Sequence, residues 1–226
     1  MPENRADLYA AFVADLYERE RDHASRRGQP FPALDVLEGF LTGLADRMQA
    51  GQTTVLKVAD VLEAALLQVT LDATILTQNG DDLLFTHQLL QEYFAARTLA
   101  QKMYADKPLM LENWWADNVW RETFLMLAEF VDDKSLVIRW LGQANPDLAY
   151  ETWQRIAPDS PLDGSVQQTL VDSATAKTGE TNANGRAAAY RVLGVFDADT
   201  RPGIGTVTHA DVQLPDIDWV TIPAGD

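Results

Sequence analysis

The chain carries three histidines, His23, His87 and His209, and no cysteine. Histidines scattered this widely give no metal-ligand spacing, and without thiols there is neither a disulfide nor a thiolate metal site. His87 stands apart from the other two. It follows an extended apolar run ending at Phe85 and opens the stretch Gln88 to Leu99, whose apolar residues recur at helical spacing. At the head of a helix, the positive end of the macrodipole favours neutral imidazole, which keeps one N–H to donate. The unpaired backbone N–H groups of a first turn attract anions. Together these groups can hydrogen-bond a phosphate brought by a neighbouring domain. The same position also suits a capping histidine, or one packed between strand and helix, and spacing alone leaves these readings open.

The other candidates offer less. Asp216 and Asp218 fall outside any EF-hand ligand pattern. Asp81-Asp82 sits in a turn and Asp132-Asp133 at a helix end, so neither pair ends an apolar strand of the Walker B kind. No Gly-x-x-x-x-Gly-Lys-Ser/Thr phosphate loop occurs, and no nucleophile elbow supports a Ser/His/Asp triad. This stretch of chain alone is therefore expected not to be an enzyme. Trp114, Trp115 and Trp120 suit core or interdomain packing better than a ligand cage.

The elements that must position these residues are mostly helical. Leu8/Tyr9, Phe12/Val13 and Leu16/Tyr17 predict a helix over about 4–22, capped by Asn4 with Asp7 in its first turn. Gly28-Gln-Pro-Phe-Pro32 ends it. A second helix is expected over about 35–49 and a third after Gly51, capped by Thr53 or Thr54 and carrying Val58, Val61/Leu62, Ala65/Leu66 and Val69. Two short apolar runs then flank Asn79-Gly80, a strong hairpin signal. The helix after Thr86 presents Leu89, Tyr93, Ala96, Ala100 and Met103, widened by Leu90 and Phe94. Beyond Lys107-Pro108 a wide apolar surface gathers Trp115, Val119, Trp120, Phe124, Met126, Leu127 and Val131. Shorter helices are expected at about 134–143, 146–156 and 165–176, without a fixed repeat period. A polar linker at 176–185, a helix at about 186–196 and an extended, proline-punctuated end from Thr206 to Asp226 complete the chain.

Composition narrows the function classes. Hydrophobic residues make up 46% of 226 residues, enough to bury a core. No apolar run approaches the roughly 18 residues of a membrane span, and residues 1–7 do not resemble a signal peptide. A cytoplasmic protein without a membrane partner is expected. The net charge of −16 repels polyanions. Arg19, Arg21, Arg26 and Arg27 are interrupted by Glu18, Glu20 and Asp22, so they read as a solvated helix end, and nucleic acid is not expected as a partner.

The pattern Phe85-x-His87-x-x-x-Gln91-Glu92-Tyr93-Phe94-Ala95-Ala96 resembles the segment that closes the winged-helix domain of NACHT-family STAND NTPases. The opening Asn4-Arg-Ala-Asp-Leu-Tyr9-x-x-Phe12-Val13 is similar to the helix following the nucleotide-binding core in that family. The resemblance spans about residues 1–131. It implies that His87 contacts the phosphates of an ADP held by another domain, while Gln91, Glu92, Tyr93 and Phe94 pack and hydrogen-bond locally. A weaker resemblance covers Arg186–Gly194 with Asp199-x-Arg201-Pro202-Gly203, similar to the end of helical-repeat regions in bacterial multidomain proteins. The following Leu214-Pro-Asp-Ile-Asp-Trp219-Val-x-Ile222-Pro-Ala-Gly225 resembles the leader into a formylglycine-generating-enzyme-like, sulfatase-modifying domain of C-type-lectin-like fold.

The expectation is thus a mainly α fold in four parts. Residues 1–34 form a helix following an absent NTPase core, 35–105 a winged-helix domain with a small hairpin wing, 106–199 an α-helical array of HEAT-like kind, and 200–226 an extended linker or first strand of a further domain. The function implied is that of a regulatory and interaction module in bacterial defence or signalling, coupling nucleotide state to ligand sensing. The chain reads as a piece of a longer protein. No cofactor is expected in it, and ADP or ATP with magnesium is implied for the parent. The implied partners are the upstream NTPase domain, the downstream lectin-like domain, a protein ligand, and further copies of the active parent. A passive helical scaffold and a DNA-binding winged-helix regulator are the alternatives. The latter needs cations on the third helix and wing, where Lys57 stands against Asp60, Glu63, Asp81 and Asp82.

Overall fold

The computed structural model describes residues 4–111, 114–115, 120–158, 160–201, 206–209 and 212–215. Helix α1 (Arg5–Arg26) starts where its cap dictates, with the Asn4 side chain accepting the Asp7 amide at 2.8 Å. It runs a turn beyond the expected end, with His23 and Arg26 against the carbonyl end of its dipole. The Tyr17 hydroxyl donates to the Pro32 carbonyl at 3.1 Å and folds the Gly28–Pro32 turn back onto the helix. Helix α2 (Leu34–Ala50), expected over about 35–49, buries Leu37, Leu41, Leu44 and Met48 at helical spacing.

The third helix departs from expectation. Gly51 does break the chain, but Leu56–Lys57 become a short strand, β1, and Val58–Asp60 a single 3-10 turn. Helix α3 (Ala64–Asp72) begins only after Glu63. The Val58 amide donates to the Asp81 carbonyl at 2.9 Å, and Leu56 and Lys57 pair with Leu83 and Asp82. Sheet bonds from a distant segment thus take backbone groups that helical spacing assigned to α3. β-Branched Val55 and Val58 lean the same way.

The hairpin is formed by β2 (Leu76–Asn79) and β3 (Asp82–Phe85). Asn79 pairs with Asp82, so Gly80 and Asp81 make the connection, with Gly80 at φ +62. A positive φ at the first connecting residue is where glycine is needed in a tight hairpin. β1 adds antiparallel to the other side of β3, giving the order β1-β3-β2.

Helix α4 (Gln88–Tyr104) packs against α2 on one side and α5 (Arg121–Phe130) on another. Leu90 through Ala96 are buried without a break, while Leu89 is 39% exposed. A helix sandwiched between neighbours has no free face over those turns, which is why the expected single stripe misplaces Leu89. The remaining helices are α6 (Lys134–Ala144), α7 (Pro146–Ile156), α8 (Gly164–Lys177) and α9 (Ala183–Val195). Each starts at an Asp or Asn whose side chain accepts a first-turn amide: Asp133, Asn145, Asp163 and Asn182. The predicted linker at 176–185 shrinks accordingly. α8 runs to Lys177, and Asn182 caps α9 three residues before Gly185. Hydrophobic burial is continuous from Ala6 to Leu193.

Beyond residue 201, β4 (Thr206–His209) and β5 (Val212–Pro215) pair antiparallel, with Thr206 opposite Pro215. The extended reading of this region is refined to a hairpin. Trp219 and the rest of 216–226 lie outside the described residues, as does Val119. Among the described residues no helix is long and apolar enough to cross a membrane.

Candidate functional site

His87 occupies the residue before α4, in extended backbone at φ −130 and ψ 132. Its position is fixed from the strand side. The Thr86 amide donates to the Ile75 carbonyl at 2.9 Å, and the Thr86 hydroxyl to the Thr74 carbonyl at 2.6 Å. On the helix side, the His87 carbonyl accepts the Leu90 amide at 3.0 Å. The backbone is thus held from both directions while the side chain is exposed and caps no amide. The capping and packed readings of His87 both fail against this geometry. What is present is an imidazole facing solvent above a helix start that no side chain caps, an arrangement able to donate to or accept from an external group.

The residues after His87 do different work. Gln91 donates to the Thr53 carbonyl at 3.2 Å, tying α4 to the loop after α2. Tyr93 lies edge-on to Phe94, with centroids 5.0 Å apart, and also meets Tyr9 and Phe130. Phe94 reaches Phe85 on β3 at 5.9 Å. Burial pushes the Tyr93 phenol upward, with Arg97 pulling against it. Arg97 makes a two-pronged ion pair with Glu38 of α2, at 2.6 and 2.8 Å. Gln91, Tyr93 and Phe94 form a packing joint.

The other candidate residues do not converge on His87. His23, 3.6 Å from Glu20, lines an open groove of about 670 Å3 between the end of α1 and α3, with Arg19, Arg27, Phe31 and Val69. The side chain of His209 and the pair Asp216/Asp218 lie outside the described residues. Among the described residues no three metal-ligating side chains gather. Trp114 is buried, lies edge-on to Trp115 at 6.0 Å and donates its indole N–H to Glu180 at 2.6 Å, a packing role.

Two features escape sequence reasoning. Arg201 grips Asp199 through Nε at 3.0 Å and Nη2 at 2.7 Å while lying over the Tyr190 ring at 3.5 Å. The Arg201 contact holds the Asp199 carboxyl below its ordinary range. The other is Glu92, buried on α4 with one carboxylate oxygen lacking a partner. Nothing in a Gln-Glu dipeptide on a helix announces that. The chain has no match among family models, characterised proteins or solved structures.

Proposed function

We propose that this chain is the regulatory and interaction module of a NACHT-type signalling NTPase, with His87 contacting a phosphate of the nucleotide held on an upstream domain. The single observation that carries the reading is the exposed His87 imidazole, fixed in backbone yet engaged in no cap. Further support comes from the order α2, β1, a short turn, α3, β2, β3 and the sheet order β1-β3-β2, which suit a winged helix. The helices from α5 to α9 suit a sensing array. Bound ADP would supply the anion, and ATP with magnesium the chemistry of the upstream core. This chain contributes a neutral or cationic N–H donor at one arm of that site. A contact made only in the diphosphate state biases the switch closed, and its loss favours the open, oligomerising state.

A DNA-binding reading draws no support from α3. Its residues, Ala64 to Asp72, include no lysine or arginine, and Lys57 of β1 is paired with Asp82. The passive-scaffold reading differs from the proposal only at His87. The test joins an upstream NTPase core to this chain and follows release of labelled ADP. His87→Ala is expected to speed release by about 10-fold, the loss of one charge-assisted hydrogen bond. Equal release from both proteins would leave the scaffold reading in place. A Walker-A-bearing reading frame fused or adjacent upstream is the matching genomic expectation.

A further inference from the structure

Glu92 lies on α4, is 6% exposed, and feels the charges of Arg5 on α1 and Glu122 on α5. Only half of its carboxylate is engaged. Oε1 accepts from Gln88 Nε2 at 2.9 Å, while Oε2 is buried without a hydrogen-bond partner among the described residues. Such an oxygen is strongly disfavoured when the group is ionised and tolerated when it carries a proton.

The charged groups around it compete for few cations. From α1 comes Arg5, whose guanidinium is already committed to α5. Its Nη1 lies 2.8 Å from Glu122 Oε2, and its Nε lies 3.1 Å from Glu129 Oε1. The second Glu129 oxygen accepts the Ala6 amide at 3.0 Å, so α5 also caps the first turn of α1. From α7, Arg155 reaches Glu122 at 3.6 Å and Glu151 at 3.1 Å, and Glu151 also holds Arg121 at 2.9 Å. On α4 itself Arg97 is spent on Glu38. Among the described residues, a third carboxylate at this junction has no cation of its own.

We propose that Glu92 is a proton-operated latch on α1: as the neutral acid it lets α1 seat against α4 and α5, and as the carboxylate it loosens that seat. Burial raises the proton affinity of Glu92 above the ordinary glutamate value. The Gln88 N–H opposes this, the Glu122 charge adds to it, and Arg5 again opposes it. The sign follows from linkage. A group whose folded affinity is raised contributes stability that is complete below the ordinary carboxyl range and is lost as pH rises through the raised value. α1 is the element that gives, because it meets α4 and α5 less extensively than those two meet each other. Once α1 lifts, water reaches Oε2 and Arg5 is freed to approach Glu92. The latch does not depend on the nucleotide reading of His87.

The absence of cysteine makes the test direct, since introduced thiols are the sole labelling sites. Spin labels at the exposed positions Ala11→Cys on α1 and Gln154→Cys on α7 report the seat by pulsed dipolar spectroscopy. A second pair, Gln154→Cys with Gln168→Cys on α8, reports the array alone. From about pH 5 to about pH 8, the first pair is expected to gain a longer-distance population. Its ratio to the short one should rise by up to ~10-fold per pH unit, the slope of one linked proton, while the second pair stays unchanged. Glu92→Gln, which keeps the Gln88 bond and removes the charge, should hold the short distance throughout. A pH-independent first pair, or an equal pH response in Glu92→Gln, would overturn the latch.

Discussion

Arg97 shows how much one side chain contributes to the way α4 is held. Its two nitrogens meet the two oxygens of Glu38, and Nη1 also touches the Tyr93 hydroxyl at 3.3 Å, so three residues from two helices share one geometry. Lysine keeps the charge but cannot reproduce the fork. Arg97→Lys is expected to lower stability by about 1 kcal/mol in denaturant titration, more than an exposed pair would. The pairing was not legible in the sequence, because Glu38 and Arg97 lie far apart along the chain and many carboxylates compete for the role. His87 was half legible. The change from extended run to helical spacing placed it at the head of α4, but whether its ring was packed, capping or free depended on the neighbours that the fold brings to that end. The family resemblance implied packing and local hydrogen bonding for Glu92, and the residue is buried. Its unpaired oxygen follows from the arrival of α1 and α5, which no local pattern records.

Among the elements, glycines separate local from tertiary constraint. Gly39 and Gly43 lie within α2, both exposed, and a Cβ at either would meet nothing within 4 Å. Alanine there removes helix-interior glycine without a clash, so each substitution should stabilise by up to about 1 kcal/mol, seen as a higher Tm. Gly185 in the first turn of α9 is the opposite case. A Cβ there would run into Glu180 and lie 2.9 Å from the Trp115 ring. Gly185→Ala should destabilise by about 1–3 kcal/mol, since the indole would have to move. The sequence marked 176–185 as a linker through its small polar residues, yet those residues include the Asn182 cap and the close approach at Gly185. The cap of α1 was visible as Asn4 ahead of apolar periodicity, whereas Asp133 and Asn145, which cap α6 and α7, were not singled out. The start of the third helix was not visible, because its first expected turns pair with β3, and the pairing partner is fixed only by the hairpin.

In the whole molecule, α4 lies between α2, which leads to the sheet, and α5, which leads to the array, and hydrophobic burial runs through all three. Phe124 on α5 is fully buried in this joint. Phe124→Ala should cost about 3–5 kcal/mol, and unfolding of the sheet-bearing and array portions should then still coincide by fluorescence and circular dichroism if the joint couples them. This mechanical continuity is what a module needs if a contact at the head of α4 is to be felt in the array. The mainly helical class, the hairpin and most helix positions were readable because they rest on local periodicity and turn chemistry. The sheet order, the burial around α4 and the charge cluster of Arg5 rest on contacts between distant segments.

On the proposed function, His87 touches a nucleotide phosphate across a domain boundary. The His87 imidazole 15N resonances are assigned by their loss in His87→Ala. They are recorded in this chain joined to an NTPase core, with and without ADP. The His87 ring nitrogens are expected to shift on ADP addition while those of His23 do not. A His87 resonance unchanged between the ADP-loaded and nucleotide-free protein would contradict it.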